Sequence, residues 1–132
     1  MSLAFPDSNV LVYAFTADAK RGVAQAVLHR GGLISVQSLN EFANVARRKL
    51  KRSWDEVGVA LSVVRSHFPR IAPLDLATHL TGLDIGHRYQ LSVYDSMIIA
   101  SALRGGCDTL WSEDMHHGLV IDGRLRIVNP FA

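Results

Sequence analysis

The sequence contains a single cysteine, Cys107, among its 132 residues. An intramolecular disulfide needs two cysteines, so the fold cannot depend on one, and this use of cysteine fits a reducing compartment. No apolar run reaches the roughly 18 residues that a membrane span requires. Residues 1–4 also lack the basic leader and cleavage pattern of a signal peptide. We therefore expect a cytoplasmic protein without a membrane partner.

Internal repeats, low-complexity tracts and linker-like segments are also missing from the sequence. A chain of this length suits one domain around one core, and we expect residues 1–132 to form it. Hydrophobic residues make up 48% of the chain, which is enough for a packed interior. The formal net charge is +2 and the pI is near 9.0, which permits an acidic partner such as RNA but does not require one.

Short apolar runs alternate with segments of helical periodicity along the chain. The predicted strands are 3–5, 33–36, 109–111 and 125–128, with a weaker candidate at 71–74. The predicted helices are 10–15, 18–30, 38–50, 53–68, 76–89 and the segment headed by Asp95. The first of these helices could instead be a strand, because it is rich in β-branched residues. The alternation indicates an α/β fold: a three-layer α/β/α sandwich with a short, mostly parallel central sheet.

The segment headed by Asp95 is otherwise largely apolar and small, and it ends at Gly105–Gly106. Because apolar residues cover almost every direction of this predicted helix, we expect it to be buried. A buried carboxylate is costly unless a cation or hydrogen bonds compensate it. The free N–H groups of a first helical turn supply part of that compensation. Asp95 therefore either caps its own helix or faces a cation in a deep pocket.

Four carboxylates are expected at one edge of the sheet. Asp7 and Asp114 follow predicted strands, Asp95 heads a helix, and Glu41 lies in the first turn of another predicted helix. In parallel sheets, ligands bind outside the carboxyl ends of the strands, where helix N-termini also point. Two carboxylates about 5 Å apart repel by roughly 3 kcal/mol at an effective dielectric of 20, so a cluster of them needs a cation. Carboxylate oxygens select Mg²⁺ or Mn²⁺, ions that activate water and neutralise phosphate oxygens.

Four short motifs resemble, in their order and spacing, the signatures of PIN-domain ribonucleases. They are Asp7-Ser8-Asn9-Val10-Leu11-Val12-Tyr13, Ser38-Leu39-Asn40-Glu41-Phe42, Tyr94-Asp95-Ser96 followed by Ile98-Ile99-Ala100, and Leu110-Trp111-Ser112-Glu113-Asp114. The resemblance spans about residues 3–128. In its length and its lack of further domains, the chain is similar to the VapC-type toxins of bacterial toxin–antitoxin pairs.

The resemblance implies a Mg²⁺-dependent endoribonuclease, with Mn²⁺ as a possible substitute, that hydrolyses RNA phosphodiester bonds with metal-activated water. It also implies a homodimer that is silenced by a cognate antitoxin, which inserts into the active-site groove. Asp7 and Asp95 match the principal metal-binding acids, and Glu41 matches the second acid. Asp114 matches the acid of the strand-end turn, and Ser112 matches the hydroxyl that orients the cluster. The implied catalytic residues are Asp7, Glu41, Asp95 and Asp114.

Each of these residues also has a structural interpretation. Glu41 and Asp95 each lie three residues after a serine, which is the spacing of a helix capping box. Asp7 and Asp114 could be ordinary turn residues. Glu113 is a second acid in the turn that contains Asp114, and it competes with Asp114 for the same assignment.

Other features leave alternatives open. The basic run at 47–52 is either a solvated helix end that complements the helix dipole or a patch that follows RNA phosphates. His116 and His117 have no Cys or His partner at ligand spacing, so we do not expect a zinc site. One rival function is a non-catalytic RNA- or protein-binding module with the same fold. Another is a metal-dependent phosphatase, although Asn9 occupies the place of the second acid in the Asp-x-Asp turn of such enzymes.

Overall fold

The computed structural model describes residues 2–132, and this range contains six strands and six helices. The strands are β1 (Ala4–Pro6), β2 (Leu33–Ser35), β3 (Arg70–Ala72), β4 (Thr109–Trp111), β5 (Val120–Ile121) and β6 (Leu125–Val128). The helices are α1 (Ser8–Tyr13), α2 (Arg21–Arg30), α3 (Val36–Arg48), α4 (Trp54–His67), α5 (Leu76–Tyr89) and α6 (Val93–Arg104). The predicted strands and helices occur in the predicted order and α1 is helical, whereas β5 is an additional strand that was not predicted.

The sheet is mostly parallel. Hydrogen bonds join four strands in the order β1-β4-β6-β5, and β2 pairs with β3 in a second ladder. Strands β1, β4 and β6 run parallel, as do β2 and β3, whereas β5 pairs antiparallel with β6. The two ladders meet where β2 begins beside β1. There Gly32, with φ +117°, lies against the carbonyl group of Ala4 and leaves no space for a Cβ atom.

Successive strand residues face two different hydrophobic cores. Leu33 and Leu110 enter a core that they share with α5 and α6. The next residues, Ile34 and Trp111, pack into a core formed with helices α1 to α4. This alternation is the period of a β-strand, and it places helices on both faces of the sheet. The predicted three-layer α/β/α sandwich is therefore confirmed, and so is the burial of α6, which is continuous from Ser96 to Leu103.

Several helices begin at residues other than those predicted: α1 and α6 each start two residues earlier, at Ser8 and Val93, and the starts of α2 and α3 also differ. Helix α2 begins at Arg21 rather than Asp18, because Asp18 closes a turn by accepting hydrogen bonds from the N–H groups of Lys20 and Arg21. Helix α3 begins two residues before Ser38, because Ser35 is its N-cap and Ser38 completes the capping box with it. Of the two interpretations of Glu41, the capping box with Ser38 is therefore wrong. Glu41 lies in the second turn of α3, where its carboxylate is free to make other contacts.

Helix α5 has the bounds that its leucine spacing predicts, but its leucine face is not covered. Leu76, Leu80 and Leu83 are exposed by 70%, 57% and 45%. Within residues 2–132, every helix is too short or too polar to cross a membrane. The exposed face of α5 is thus an apolar surface on an otherwise packed fold.

Candidate active site

The carboxyl ends of β1 and β4 place Asp7 and Ser112 side by side. Pro6 pairs with Trp111 in the parallel ladder, and the N–H group of Asp7 donates to the carbonyl oxygen of Trp111 at 2.8 Å. The residue that follows each strand therefore leaves the sheet at the same edge. The hydroxyl group of Ser112 donates to Oδ2 of Asp7 at 2.8 Å, and both side chains are buried.

Asp7 is also the N-cap of α1, since its Oδ1 accepts a hydrogen bond from the N–H group of Ser8 at 2.8 Å. Burial raises the pKa of the Asp7 carboxyl group to about 7. The hydrogen bonds from Ser112 and Ser8 lower this pKa, whereas the nearby charges of Glu41 and Asp95 raise it further. The negative charge of Asp7 is therefore poorly compensated by the protein.

Glu41 approaches Asp7 from α3, which starts at the carboxyl end of β2 and so at the same edge of the sheet. The hydroxyl group of Ser8 donates to Oε1 of Glu41 at 3.0 Å, and Nε2 of Gln37 donates to Oε2 at 3.2 Å. Burial raises the pKa of Glu41 despite these hydrogen bonds, and the charge of Asp95 adds to the rise. The carboxylate thus faces α1 and the other acids rather than the backbone of its own helix.

Asp95 comes to this edge from the N-terminal turn of α6. Helices in right-handed crossovers run opposite to the parallel strands, so their N-termini lie at the carboxyl edge of the sheet. The N-cap of α6 is Ser92, whose Oγ accepts from the N–H group of Asp95 at 3.2 Å. Asp95 therefore does not cap its own helix, which removes one of its two interpretations. Burial raises its pKa, and the nearby charge of Asp114 raises it further.

Asp114 is connected to Asp7 through Asn9. The amide nitrogen of Asn9 donates to Oδ2 of Asp114 at 3.0 Å and to Oδ2 of Asp7 at 3.4 Å. The amide oxygen of Asn9 accepts from the N–H group of Glu113 at 3.4 Å. One side chain thus ties the turn after β4 to the start of α1, with the exposed Asp114 at the mouth of the site.

Glu113 does not compete with Asp114 for a place in the site. Its carboxylate forms an ion pair with Lys20, whose ammonium group lies 4.9 Å from the ring centre of Tyr13 and 5.5 Å from that of Phe131. The hydrogen bond from Lys20 lowers the pKa of Glu113. Two adjacent acids in one turn therefore have opposite surroundings: Glu113 has its own cation, and Asp114 faces other acids.

We call Asp7, Glu41, Asp95 and Asp114 together the acid crevice. In the part of the chain that the structure describes, no Lys, Arg or His side chain forms an ion pair with any of the four. Their donor atoms are all oxygens, which suits Mg²⁺ or Mn²⁺ rather than zinc.

The acid crevice is open rather than a complete cage for an ion. Across residues 2–132, no three His, Cys, Asp or Glu side chains gather closely enough to form a complete metal-binding set by themselves. Mg²⁺ usually keeps several water ligands and binds through one or two carboxylates. The residues of the acid crevice therefore fit such an ion if water completes its coordination.

Sequence reasoning missed the polar side chains that hold these acids. Ser8 and Gln37 both donate to Glu41, and Asn9 bridges Asp7 and Asp114. The sequence did contain a signal for two of these contacts, because Ser8 and Asn9 are polar residues at the start of an otherwise apolar helix. Gln37 also precedes Glu41 by one helical turn, a spacing at which side chains meet.

A model of the PIN domain family matches residues 4–118, a range that contains all four residues of the acid crevice. A search of curated proteins finds no significant sequence match.

Three solved structures share the fold. The toxin VapC20 of Mycobacterium tuberculosis, which cleaves the sarcin–ricin loop, superposes with a TM-score of 0.69 at 17% identity, over 84% of this chain and 89% of that chain. A toxin–antitoxin complex from Klebsiella pneumoniae gives 0.71 at 21% identity, over 96% and 97%. VapBC2 from Rickettsia felis, bound to a DNA fragment from its promoter, gives 0.61 at 17% identity, over 85% and 87%. At these identities the likeness establishes the architecture of the chain.

Proposed function

This chain belongs to the PIN domain family, and on that premise we propose that it is a metal-dependent endoribonuclease that hydrolyses RNA phosphodiester bonds. We take residues 1–132 as a single catalytic domain. The observation that supports the proposal most strongly is the acid crevice itself. Four carboxylates from separate parts of the chain meet there with no basic partner among the described residues. Such an arrangement becomes favourable when a divalent cation binds.

In this proposal Asp7 and Asp95 hold Mg²⁺, or Mn²⁺ in its place. A bound ion of this kind lowers the pKa of a coordinated water and neutralises phosphate oxygens. Ser112 and the N–H group of Ser8 fix the orientation of the Asp7 carboxylate. We assign Glu41 as the acid that accepts the proton of the attacking water, because it is not one of the two metal-binding acids in this proposal and burial raises its pKa, which makes it a stronger base.

A nuclease assay with metal add-back tests the proposal. Purified protein is incubated with total RNA in Mg²⁺, in EDTA, and in EDTA followed by excess Mg²⁺ or Mn²⁺. We expect discrete cleavage products that disappear with EDTA and return with either metal. A non-catalytic RNA-binding module would instead retard the RNA in a gel without cutting it. Cleavage that persists unchanged in EDTA would contradict the metal dependence.

We further propose that the chain is the cytoplasmic toxin of a toxin–antitoxin pair, with a cognate antitoxin as its protein partner. Two of the structures with this fold are toxin–antitoxin complexes. The chain also has a groove of about 430 Å³ beside α3 and α4 that an apolar segment of a partner could occupy. Its apolar lining includes Phe15, Phe42, Ala46, Val57 and Ala60.

Expression in bacteria tests this part of the proposal. We expect the wild-type chain to arrest growth and the Asp7→Asn variant to leave growth unaffected. Co-expression of the protein encoded by the neighbouring reading frame should restore growth and should co-purify with the wild-type chain. Equal arrest by both variants would argue against a toxin that acts through the acid crevice.

We propose that the chain forms a homodimer through the exposed face of α5. Leu76, Leu80 and Leu83 lie on this face, and Val93 and Tyr94 of α6 are exposed by 55% and 67%. Burying such a face against a second copy would remove a large apolar area from water. Sedimentation velocity should give a dimer for the wild type and a monomer for Leu80→Glu. The control Val59→Glu, at another exposed apolar position on α4, should remain dimeric.

A further inference from the structure

A groove of about 610 Å³ lies between α1 and the C-terminal end of α3, and it reaches the acid crevice at Asp114. Asn9 and Asp114 line the groove at the crevice, and Tyr13, Val45 and Lys49 line it farther along. The groove is open to solvent and has both polar and apolar walls. A flexible strand that reached the acids could therefore lie along it.

The basic run at 47–52 does not act as one patch, because the fold divides its members. Arg47 lies over the ring of Trp54, 4.5 Å from its centre, and donates to the carbonyl oxygen of Arg52 at 2.7 Å. Arg52 forms an ion pair with Glu56 at 3.6 Å. Lys49 is exposed and has no ion pair within residues 2–132. Of the run, it is the cation that lines the groove leading from the acids.

The charges in the groove make Lys49 important for an anionic ligand. Asp18 and Glu113 also line the groove, and Lys20 neutralises Glu113. A polyanion that enters the groove therefore meets Asp18 and Asp114 with Lys49 as the cation left to bind it. RNA requires such a contact, because its phosphates dominate its affinity for proteins.

Lys49 lies at the C-terminal end of α3, too far from the acids to contact the phosphate that reacts there. It lies eight residues after Glu41, which corresponds to about 12 Å along the helix axis at a rise of 1.5 Å per residue. That distance exceeds the length of a lysine side chain. Lys49 is therefore suited to a phosphate that neighbours the cleaved bond rather than to the reacting phosphate.

We infer that the groove between α1 and α3 holds single-stranded RNA on its way to the acid crevice, and that Lys49 binds a phosphate next to the one that is cleaved. This inference rests on the proposed ribonuclease function, since it assigns the path of that substrate. It makes Lys49 a substrate-binding residue that acts on affinity and leaves the chemical step to the acids.

A binding measurement tests the inference without cleavage. In the Asp7→Asn background with Mg²⁺ present, fluorescence anisotropy follows the binding of a fluorescein-labelled single-stranded RNA of mixed sequence. We expect Lys49→Ala to weaken binding roughly fivefold at low salt and to lower the slope of log Kd against log salt by about 0.7. Lys51→Ala is the matched control, because it removes the same charge two residues away from the groove. We expect it to change Kd by less than about twofold, and Lys49→Arg to bind nearly as the parent.

Cleavage kinetics in the otherwise wild-type chain give a second readout. Lys49→Ala should raise KM by a similar factor and leave kcat unchanged, whereas Lys51→Ala should change neither. Equal losses in the two variants would overturn the inference, because they would indicate a general charge effect. Weaker binding of a protein partner by Lys49→Ala, with unchanged RNA binding, would overturn it in favour of a protein in the groove. Cleavage of the probe in the Asp7→Asn background would count against the role of Asp7 in cleavage. The path of the RNA along the groove would then be decided by the Kd values of the Lys49 and Lys51 variants.

Discussion

Two clusters of carboxylates in this molecule are built in opposite ways. Near the C-terminal end of α5, Arg88 donates to Asp84 at 2.9 Å and to both carboxylate oxygens of Asp122 at 2.6 and 3.2 Å. In the acid crevice, hydroxyl and amide groups contact the acids, and no basic side chain of the described residues pairs with them. We call the first cluster the arginine staple.

The pKa values follow the same contrast. Hydrogen bonds from Arg88 lower the pKa of Asp122, whereas burial raises the pKa of Asp7 to about 7. Asp122 has a positive φ of 53° and lies in the turn between β5 and β6, so the arginine staple joins this turn to α5. In the arginine staple the chain supplies a cation for its carboxylates. In the acid crevice no such cation is present among the described residues, so the carboxylates are available to a ligand that carries the positive charge itself.

The largest expected effect is the loss of RNA cleavage when an acid of the crevice is replaced, with no loss when an acid of the arginine staple is replaced. Asp7→Asn and Asp95→Asn should each reduce RNA cleavage by at least about a hundredfold, because each removes a charge that a divalent ion needs. The control Asp84→Asn, in the arginine staple, should cleave at the wild-type rate. Initial rates on one RNA substrate, with circular dichroism to confirm folding, measure the difference. Full activity in both crevice variants would show that cleavage does not depend on these acids.

Asn9→Ala tests whether the crevice depends on its neutral hydrogen-bond donors. Without the bridging amide, Asp7 and Asp114 repel more strongly and the turn after β4 loses a contact to α1. We expect activity to fall roughly 10- to 100-fold and the Mg²⁺ concentration for half-maximal rate to rise. Asn44→Ala, at an exposed position of α3, is the control. An unchanged Mg²⁺ requirement would mean that Asn9 has no part in positioning the acids.

Stability without metal should depend on pH through Asp7. Its folded pKa of about 7 exceeds its ordinary value of 3.8, so between these limits the folded state holds a proton that the unfolded state releases. The protein should therefore lose stability as pH rises from about 4 to about 7, by ~4 kcal/mol at most. Urea unfolding in EDTA at about pH 5 and about pH 8 measures this loss. We expect Asp7→Asn to flatten the dependence, and an identical slope in the two proteins would refute the assignment to Asp7.

The smallest expected effect concerns the arginine staple. Arg88→Ala removes the exposed ion pairs to Asp84 and Asp122. Exposed pairs contribute little, so we expect Tm to fall by about 1–3 °C. RNA cleavage should not change. Differential scanning calorimetry gives the first result and the nuclease assay the second, and a loss of activity here would show that the two clusters are coupled.

Local patterns were enough to predict much of the fold. The spacing of Leu76, Leu80 and Leu83 predicted helix α5 over 76–89, and β4 and β6 have the bounds that their apolar runs indicate. The two-residue strand β5 was missed, since so short a segment has no periodicity and depends on its pairing with β6. The capping box of α3 was misplaced by three residues, because Ser35 was assigned to the strand that precedes the helix.

For the site, the topology of a parallel sheet was enough to predict that Asp7, Asp95 and Asp114 approach one another. The roles of these acids stay predictions until they are tested by mutation. The contacts of Asn9 could not be predicted, because its partner Asp114 lies 105 residues away and no local pattern joins them. The separation of Glu113 from Asp114 had the same origin, since it depends on Lys20 from a distant turn. Tertiary contacts between polar side chains were thus the part that sequence patterns did not reveal.

Thermal unfolding with and without Mg²⁺ tests most directly whether the acid crevice is a divalent-ion site. At ten times the dissociation constant, an ion that binds the folded state stabilises it by about 1.4 kcal/mol, which raises Tm by about 5 °C in a chain of this size. We predict this rise with Mg²⁺ or Mn²⁺ for the wild type and Asp84→Asn, and its loss in Asp7→Asn and Asp95→Asn. A Tm that does not respond to millimolar metal, or that rises equally in all four proteins, would contradict the account.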